Sequence, residues 1–320
     1  MGYKLAGYDV IGCNEIDPRM NSIYVENHHP KHNFLCDIKE MLGDRELPEE
    51  LYHLDILDGS PPCSSFSMAG SRDETWGKMK KFQEGQKEQV LDLLFFDFIA
   101  LAKKLQPKIV VAENVKGILL GDAIDYVRRI YEGFEDAGYY CQHWLLNAKD
   151  MGVPQSRERV FFVGLRKDVS KQFLKQVGLF DELPWIDMAF SEIEIPFEEV
   201  KDAQGVEIKG KMRELWEGRQ YGDISLAYAS ERLHGKVSFF TNRLVYDDKP
   251  CCTLTSNNTG AILYDSPMIL STSEVEYVST FPQDYNFLDQ SPHYVCGMSV
   301  PPVMMAQIAS RIYEQWLSKI

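Results

Sequence analysis

Cys63 follows Ser60-Pro61-Pro62, directly after the apolar residues 51–57. Two prolines hold such a loop stiff and extended. The thiol is then presented at the carboxyl edge of a sheet, where α/β proteins place their ligands. Taken alone, a free cysteine is more often a small buried hydrophobe than a nucleophile. Three further stretches reverse that weighing. Ala112-Glu113-Asn114-Val115 sets a carboxylate at the end of the next strand, where an acid can work as a proton donor. Gln155-Ser156-Arg157-Glu158-Arg159 carries two arginines at alternate positions, hence on one side of an entering strand. Gly297-Met298-Ser299-Val300 opens the final helix. A thiol, a carboxylate and paired guanidinium groups suit attack on a polarised, electron-poor ring carried on a phosphate backbone. Each piece has a plain alternative: Glu113 in an edge turn, the arginines on a salt-bridged surface strand.

The elements that must position these residues read as an α/β protein. The first half alternates short apolar runs with amphipathic stretches, the pattern of a parallel sheet wound with helices. Strands are expected over residues 9–14, 51–57, 108–112, 140–146 and 160–165. Helices are expected over 86–105, stopped by Pro107, and over 122–137, ending at Gly138. Residues 180–255 mix Trp, Pro, Gly and charge without alternation, which predicts an irregular second domain. Residues 301–320 are expected to be helical and to pack back on the first. The expected domains are therefore 1–175, completed by about 295–320, and 176–294.

A chain of 320 residues can bury a full core. Its 44% hydrophobic and 26% charged content is ordinary for a soluble globular protein. No apolar run approaches the roughly 18 residues of a membrane span, and no signal peptide is evident. Seven scattered cysteines fit a reducing cytoplasm, and without a Cys-x-x-Cys pair no metal is expected. The net charge of −14 argues against coating nucleic acid through bulk electrostatics. Positive residues nevertheless gather over 72–87, 157–175 and 209–243, enough for a local basic cleft.

Together these motifs resemble the cytosine-C5 DNA methyltransferases, from near residue 2 to about 170 and from about 243 to the C-terminus. The resemblance implies a Rossmann-like class I S-adenosylmethionine-dependent methyltransferase fold lacking its first strand, with a second, smaller, irregular target-recognition domain. Asn14-Glu15-Ile16-Asp17-Pro18 resembles the strand end that holds the cofactor ribose, so Glu15 and Ile16 are expected there. Asp37 and Ile38 match the segment at the adenine, and Leu94 opens the helix beside the cofactor. Ser60, Pro62 and Ser299 complete the implied cofactor set. Thr253-Leu254, Phe281-Pro282 and Tyr294 to Val300 match the later motifs. The implied catalytic residues are Cys63, adding to C6 of cytosine, Glu113 at N3 and the exocyclic amine, Arg157 orienting the base and bracing the carboxylate, and Arg159 in support. The implied partner is double-stranded DNA with the target base flipped out, in a restriction-modification or phage setting in the cytoplasm. Residues 67–89 read as a basic lid.

Two departures stand out. Family members carry an Asp-x-Phe-x-Gly-x-Gly-Gly loop before the residues matching 2–7, and this chain has none. Its strand is central to the sheet, so two unpaired edges and weak cofactor binding are expected. A start upstream of Met1 explains this best; a short separate chain supplying the strand, or a degraded relic, are the other readings. Met298 also stands where the family has Asn. The tRNA-methylating branch is disfavoured because Cys-Phe-Thr is absent, and a non-catalytic DNA-binding remnant is the reading from another class. An oxidoreductase would need a Gly-x-Gly-x-x-Gly turn, which the sequence lacks.

Overall fold

The computed structural model describes residues 1–44, 46–62, 93–121, 123–178, 182–202, 204–235, 242–256 and 260–320. Cys63 and the stretch 67–89 lie outside the described residues. Two compact units emerge, and they interleave along the chain. The larger comprises Val10–Leu146, Glu158–Met188 and Arg311–Ile320; the smaller comprises Met1–Asp9, Asn147–Arg157 and Ala189–Ser310. The expected boundaries, 1–175 with about 295–320 and 176–294, differ from this division at residues 1–9, 147–157, 176–188 and about 295–310, because compactness follows packing rather than chain order.

In the larger unit, β1 (Gly12–Glu15) and β2 (His32–Leu35) pair in parallel, Gly12 opposite His32 and Glu15 opposite Leu35. The crossover is α2 (Pro18–His28), started by Asp17, whose carboxylate accepts from the Arg19 and Met20 amides, with Pro18 in the first turn. A four-stranded sheet follows in the order β3 (Ile56–Gly59), β4 (Ile109–Val115), β6 (Glu158–Arg166), β5 (Tyr139–Asn147). β3 runs parallel to β4, and β6 antiparallel to it. The expected all-parallel sheet is thus corrected to a mixed one. The neighbours β5 and β6 are joined only by residues 148–157, too short for the crossover that a parallel pair needs. β3 starts later than expected because Glu49–His53 forms a 3₁₀ turn that buries Leu51, a pattern that apolar content alone does not distinguish from a strand.

Helices α3 (Ile38–Leu42), α4 (Leu94–Leu105) and α5 (Ala123–Asp136) pack around these strands. Phe95, fully buried, meets Tyr126, Phe134 and Phe162 edge to face with ring centroids 6.3, 6.4 and 5.6 Å away. Ile109, Val110, Val111 and Ala112 are all fully buried, so β4 is covered on both faces. The unit closes with α6 (Lys167–Ser170), a hairpin of β7 (Leu174–Gln176) and β8 (Glu182–Pro184), and buried Trp316, which donates to the Trp185 carbonyl at 2.9 Å. Among the described residues β1 and β3 each pair along one edge only, as the sequence leads one to expect.

The smaller unit holds α1 (Gly2–Leu5) and a sheet in the order β10 (Arg243–Val245), β11 (Ala261–Leu263), β12 (Met268–Ile269), β9 (Val206–Glu207). Helices α7 (Gly210–Glu217) and α8 (Leu226–His234) bury Leu215, Trp216 and Leu226 with Leu244 and Ile262 of that sheet. The stretch expected to be irregular therefore contains a small sheet, whose strands of two or three residues are too short to show a period of two. α9 (Thr272–Val278) opens with a capping box of Ser271 and Glu274. Gly297 and Met298 end α10 (Pro292–Met298) rather than open the final helix, which is α11 (Pro302–Gln315). Pro301 lies between the two and Pro302 opens α11, since a proline favours the start of a helix over its continuation.

Gly59 ends β3 beneath Phe98 of α4, where an added Cβ would lie 2.5 Å from the ring. Gly59→Ala is expected to cost about 1–3 kcal/mol by overpacking, read as a lower urea midpoint. Restoration of the midpoint by Phe98→Leu would tie the cost to that contact, and an unchanged midpoint in the single variant would refute it.

Candidate active site

Glu113 leaves the buried run of β4 at the strand's carboxyl end. Directly across the antiparallel pair, Val115 faces Arg159 and Glu113 faces Phe161, so Glu113 and Arg159 are diagonal neighbours on one face. Arg159 Nε lies 3.0 Å from Glu113 Oε1, with side chains 15% and 13% exposed. Burial pulls the Arg159 guanidinium below its ordinary pKa, and the Glu113 charge opposes that pull. Nη1 of Arg159 also donates to the Glu158 carbonyl at 2.8 Å. Glu158 itself pairs with Lys116 at 2.9 Å.

Asn114, next to Glu113 and 4% exposed, turns toward β3. Its Nδ2 donates to the Pro61 carbonyl at 3.1 Å, while its Oδ1 accepts from the Val115 amide at 2.9 Å. The end of β4 therefore holds the Ser60-Pro61-Pro62 segment, the last described residues before Cys63. Ser60 is exposed and Pro62 half-buried. Asn114 had no expected role of its own; its signal was a short amide beside the carboxylate at a strand end.

A second group forms where β1 and β2 end. Asn14 Nδ2 donates to the carbonyls of Phe34 and Cys36 at 3.0 and 2.9 Å, tying the two strand ends together. Glu15 Oε1 accepts from the amides of Ile16 and Asp17 at 2.7 and 2.9 Å. Asp37 caps α3, accepting from the Lys39 amide at 2.9 Å, and Ile38 packs against two hydrophobic clusters of this unit. Lys39 Nζ reaches to 3.8 Å from Asp97 in the first turn of α4, the turn that Leu94 opens. Asp97 Oδ2 is buried and accepts no hydrogen bond among the described residues, and burial raises the Asp97 carboxyl above its usual range. The structure thus gathers Glu15, Asp37, Ile38 and Leu94, and adds Asp97.

Arg157 and Ser299 belong to the smaller unit, so the expected pairing of Arg157 with Arg159 on one strand face does not hold: β6 begins at Glu158. Arg157 is 1% exposed. Its Nη1 donates to the Leu254 carbonyl at 2.8 Å and its Nη2 to the Gly297 carbonyl at 2.9 Å. Ser299 follows α10, and its hydroxyl donates to the Val295 carbonyl at 2.7 Å. The Ser299 proton is therefore committed to the helix end.

The model for the C-5 cytosine-specific DNA methylase family matches residues 1–314. The chain belongs to that family. Type II methyltransferase M.FnuDI of Fusobacterium nucleatum is 40% identical over 173 residues, covering 53% of this chain and 44% of that protein. Type II methyltransferase M1.HphI of Haemophilus parahaemolyticus is 27% identical over 329 residues, covering 98% and 83%. The match to M.FnuDI therefore spans less than half the length of that relative. The S. pombe Dnmt2 methyltransferase superposes with a TM-score of 0.58 at 16% identity, covering 98% of this chain and 93% of that one. The fold is accordingly the Rossmann-like methyltransferase fold. Membership implies S-adenosylmethionine as the methyl donor. Acceptors near the ends of β1 and β2 suit such a molecule: among the described residues Asp97 Oδ2 is buried without a hydrogen-bond donor, and a nucleoside brings hydroxyl and amino donors.

Burial raises the Glu15 carboxyl, outweighing its two amide bonds. The cost of the buried charge is absent while the group is protonated and appears as pH rises through the folded pKa. Glu15→Gln is therefore expected to raise the thermal midpoint at about pH 7, by an amount that shrinks toward about pH 4. Melting curves of both proteins over that range check this, and a constant difference would refute it.

Proposed function

We propose that this methylase transfers a methyl group to C5 of cytosine in double-stranded DNA, with Cys63 as nucleophile. C5 of cytosine is a poor nucleophile until a group adds at C6. The Cys63 thiolate adds there, giving a covalent enamine. Glu113 accepts from the exocyclic amine and bonds N3, stabilising the charge that develops as sulfur adds. Arg159 holds that carboxylate in place. When bound, S-adenosylmethionine supplies an electrophilic methyl group. Loss of the C5 proton then lets Cys63 leave as thiolate. The reaction requires the base outside the stack, and the basic residues 72–81 suit a segment that closes over phosphates. Arg157 serves by positioning the Thr253-Leu254 backbone.

The observation that carries this reading is the 3.0 Å Glu113–Arg159 pair at the end of β4, beside the Asn114 bond that holds the approach to Cys63. Glu15 and Ile16 for the ribose, Asp37 and Ile38 for the adenine, and Leu94, Ser60, Pro62 and Ser299 are the proposed cofactor residues; Asp97 joins them. The Type II relatives favour a restriction-modification or phage setting in the cytoplasm. A duplex carrying 5-fluorocytosine cannot lose its C5 substituent, so with the methyl donor it should trap the protein covalently. Cys63→Ser should abolish the adduct while retaining DNA binding, and Arg159→Ala should slow adduct formation by about a hundredfold or more. An adduct mapped to any residue other than Cys63 would overturn the assignment.

A second reading, a DNA-binding protein without catalysis, draws on the sheet: β1 and β3 each lack a backbone partner along one edge among the described residues. The proposed ribose and adenine contacts lie at the ends of β1 and β2, which among the described residues share no ladder with β3 and β4. Calorimetric titration of residues 1–320 with S-adenosylmethionine is expected to give affinity weaker than about micromolar, or about −8 kcal/mol. Micromolar binding would remove the support for this second reading.

A further inference from the structure

Cys251 and Cys252 stand side by side in the smaller unit, and the chemistry above uses neither. They lie where residues 251–254 run along residues 154–157. The Cys251 amide donates to the Pro154 carbonyl at 3.0 Å, and the Ser156 amide donates to the Cys251 carbonyl at 2.7 Å. Thr253 Oγ1 donates to the Ser156 carbonyl at 2.6 Å, and the Leu254 amide to Gln155 Oε1 at 3.3 Å. The Leu254 carbonyl in turn accepts from Arg157. Both thiols are free; Cys251 is fully buried and Cys252 partly exposed.

We propose that Cys251 and Cys252 are a redox modification site: exchange with a low-molecular-weight disulfide closes a bond between the neighbouring sulfurs and loosens the backbone ladder that positions Arg157. Cys252, the accessible member, attacks as thiolate. The neighbouring Cys251 and the charge of Arg243 lower the Cys252 thiol, while Cys252 and burial raise that of Cys251. Attack forms a mixed disulfide at Cys252 and releases one thiolate. Cys251 then gives up its proton, attacks Cys252 Sγ and releases the second. Two protein thiols are oxidised and one small disulfide is reduced to two thiols.

Geometry explains why closure has a consequence. Adjacent Cα atoms across a trans peptide are about 3.8 Å apart, whereas disulfides span about 4.4–6.8 Å. The ring is therefore strained and easily reduced, and closing it changes the torsions on either side of the 251–252 peptide. That peptide carries the Cys251 carbonyl, the acceptor of the Ser156 amide.

The protein is equilibrated with mixtures of oxidised and reduced glutathione, then alkylated, digested and mapped by mass. A reversible Cys251–Cys252 disulfide is expected, with faster hydrogen exchange at the Ser156 amide by about tenfold, the worth of one backbone hydrogen bond. Cys252→Ser and, separately, Cys251→Ala should each remove both responses. Thiols that stay alkylatable at every mixture, a disulfide to any other cysteine, or unchanged exchange in the oxidised form would each overturn the proposal. Neither readout uses DNA or cofactor, so failure here is distinct from failure of the methyl-transfer reading.

Discussion

A half-buried carboxylate at the end of a fully buried strand is costly unless a cation meets it, and Arg159 is the cation that meets Glu113. The meeting depends on register. Arg159 faces Val115 across an antiparallel ladder, and a slip of one residue would send its side chain to the opposite face of the sheet. What prevents the slip is apolar: Val160, Phe161, Phe162 and Val163 are all fully buried, so both faces of β6 have a fixed place in the core. The ion pair is therefore set by the hydrophobic packing on either side of it rather than by its own strength. Asn114 extends the same constraint to the next strand, since it can reach Pro61 only while β3 and β4 keep their pairing.

The ends of β1 and β2 follow a different logic. Glu15 and Asp97 both have carboxyls raised by burial, and Asp37 adds a like charge that raises Asp97 further. Lys39, 3.8 Å from Asp97, offsets only part of this. Acceptors kept where their own charge is disfavoured are poised for donors arriving from outside the protein. The fold reaches this arrangement economically: parallel strands end at the same level, and Asn14 fastens one end to the other through two carbonyls.

Much of this was legible in the chain because the informative features are local. Pro107 and the apolar spacing before it mark the end of α4, and the bare run Ile109 to Ala112 marks a strand covered on both faces. Asp17-Pro18 reads directly as a helix start. The misses have a common cause in distance along the chain. Arg157 finds its acceptors 97 and 140 residues away, and no spacing within Gln155 to Arg159 reveals them. The direction of β6 is likewise invisible in its own alternation, since parallel and antiparallel strands share a period of two. Strands of two or three residues in the smaller unit carry too few positions to show any period.

Arg157 and Arg159 show how one residue type two positions apart serves two ends. Arg159 offers charge to a carboxylate; Arg157 offers geometry to two carbonyls. A guanidinium is a planar fork with five donors, so it can bridge acceptors on separate segments, which the single ammonium of lysine does poorly. The bridge requires α10 to lie against residues 255 and 256, and only glycine permits that: a Cβ on Gly297 would stand 2.3 Å from the Thr255 carbonyl. Gly297, Arg157 and the segment through Leu254 are thus one solution to one packing problem. Cys251, Thr253 and Leu254 are each held by hydrogen bonds to residues 154–157. A segment held in this way has little slack, and a change of torsion beside its first peptide must be absorbed by the bonds that follow it toward Arg157.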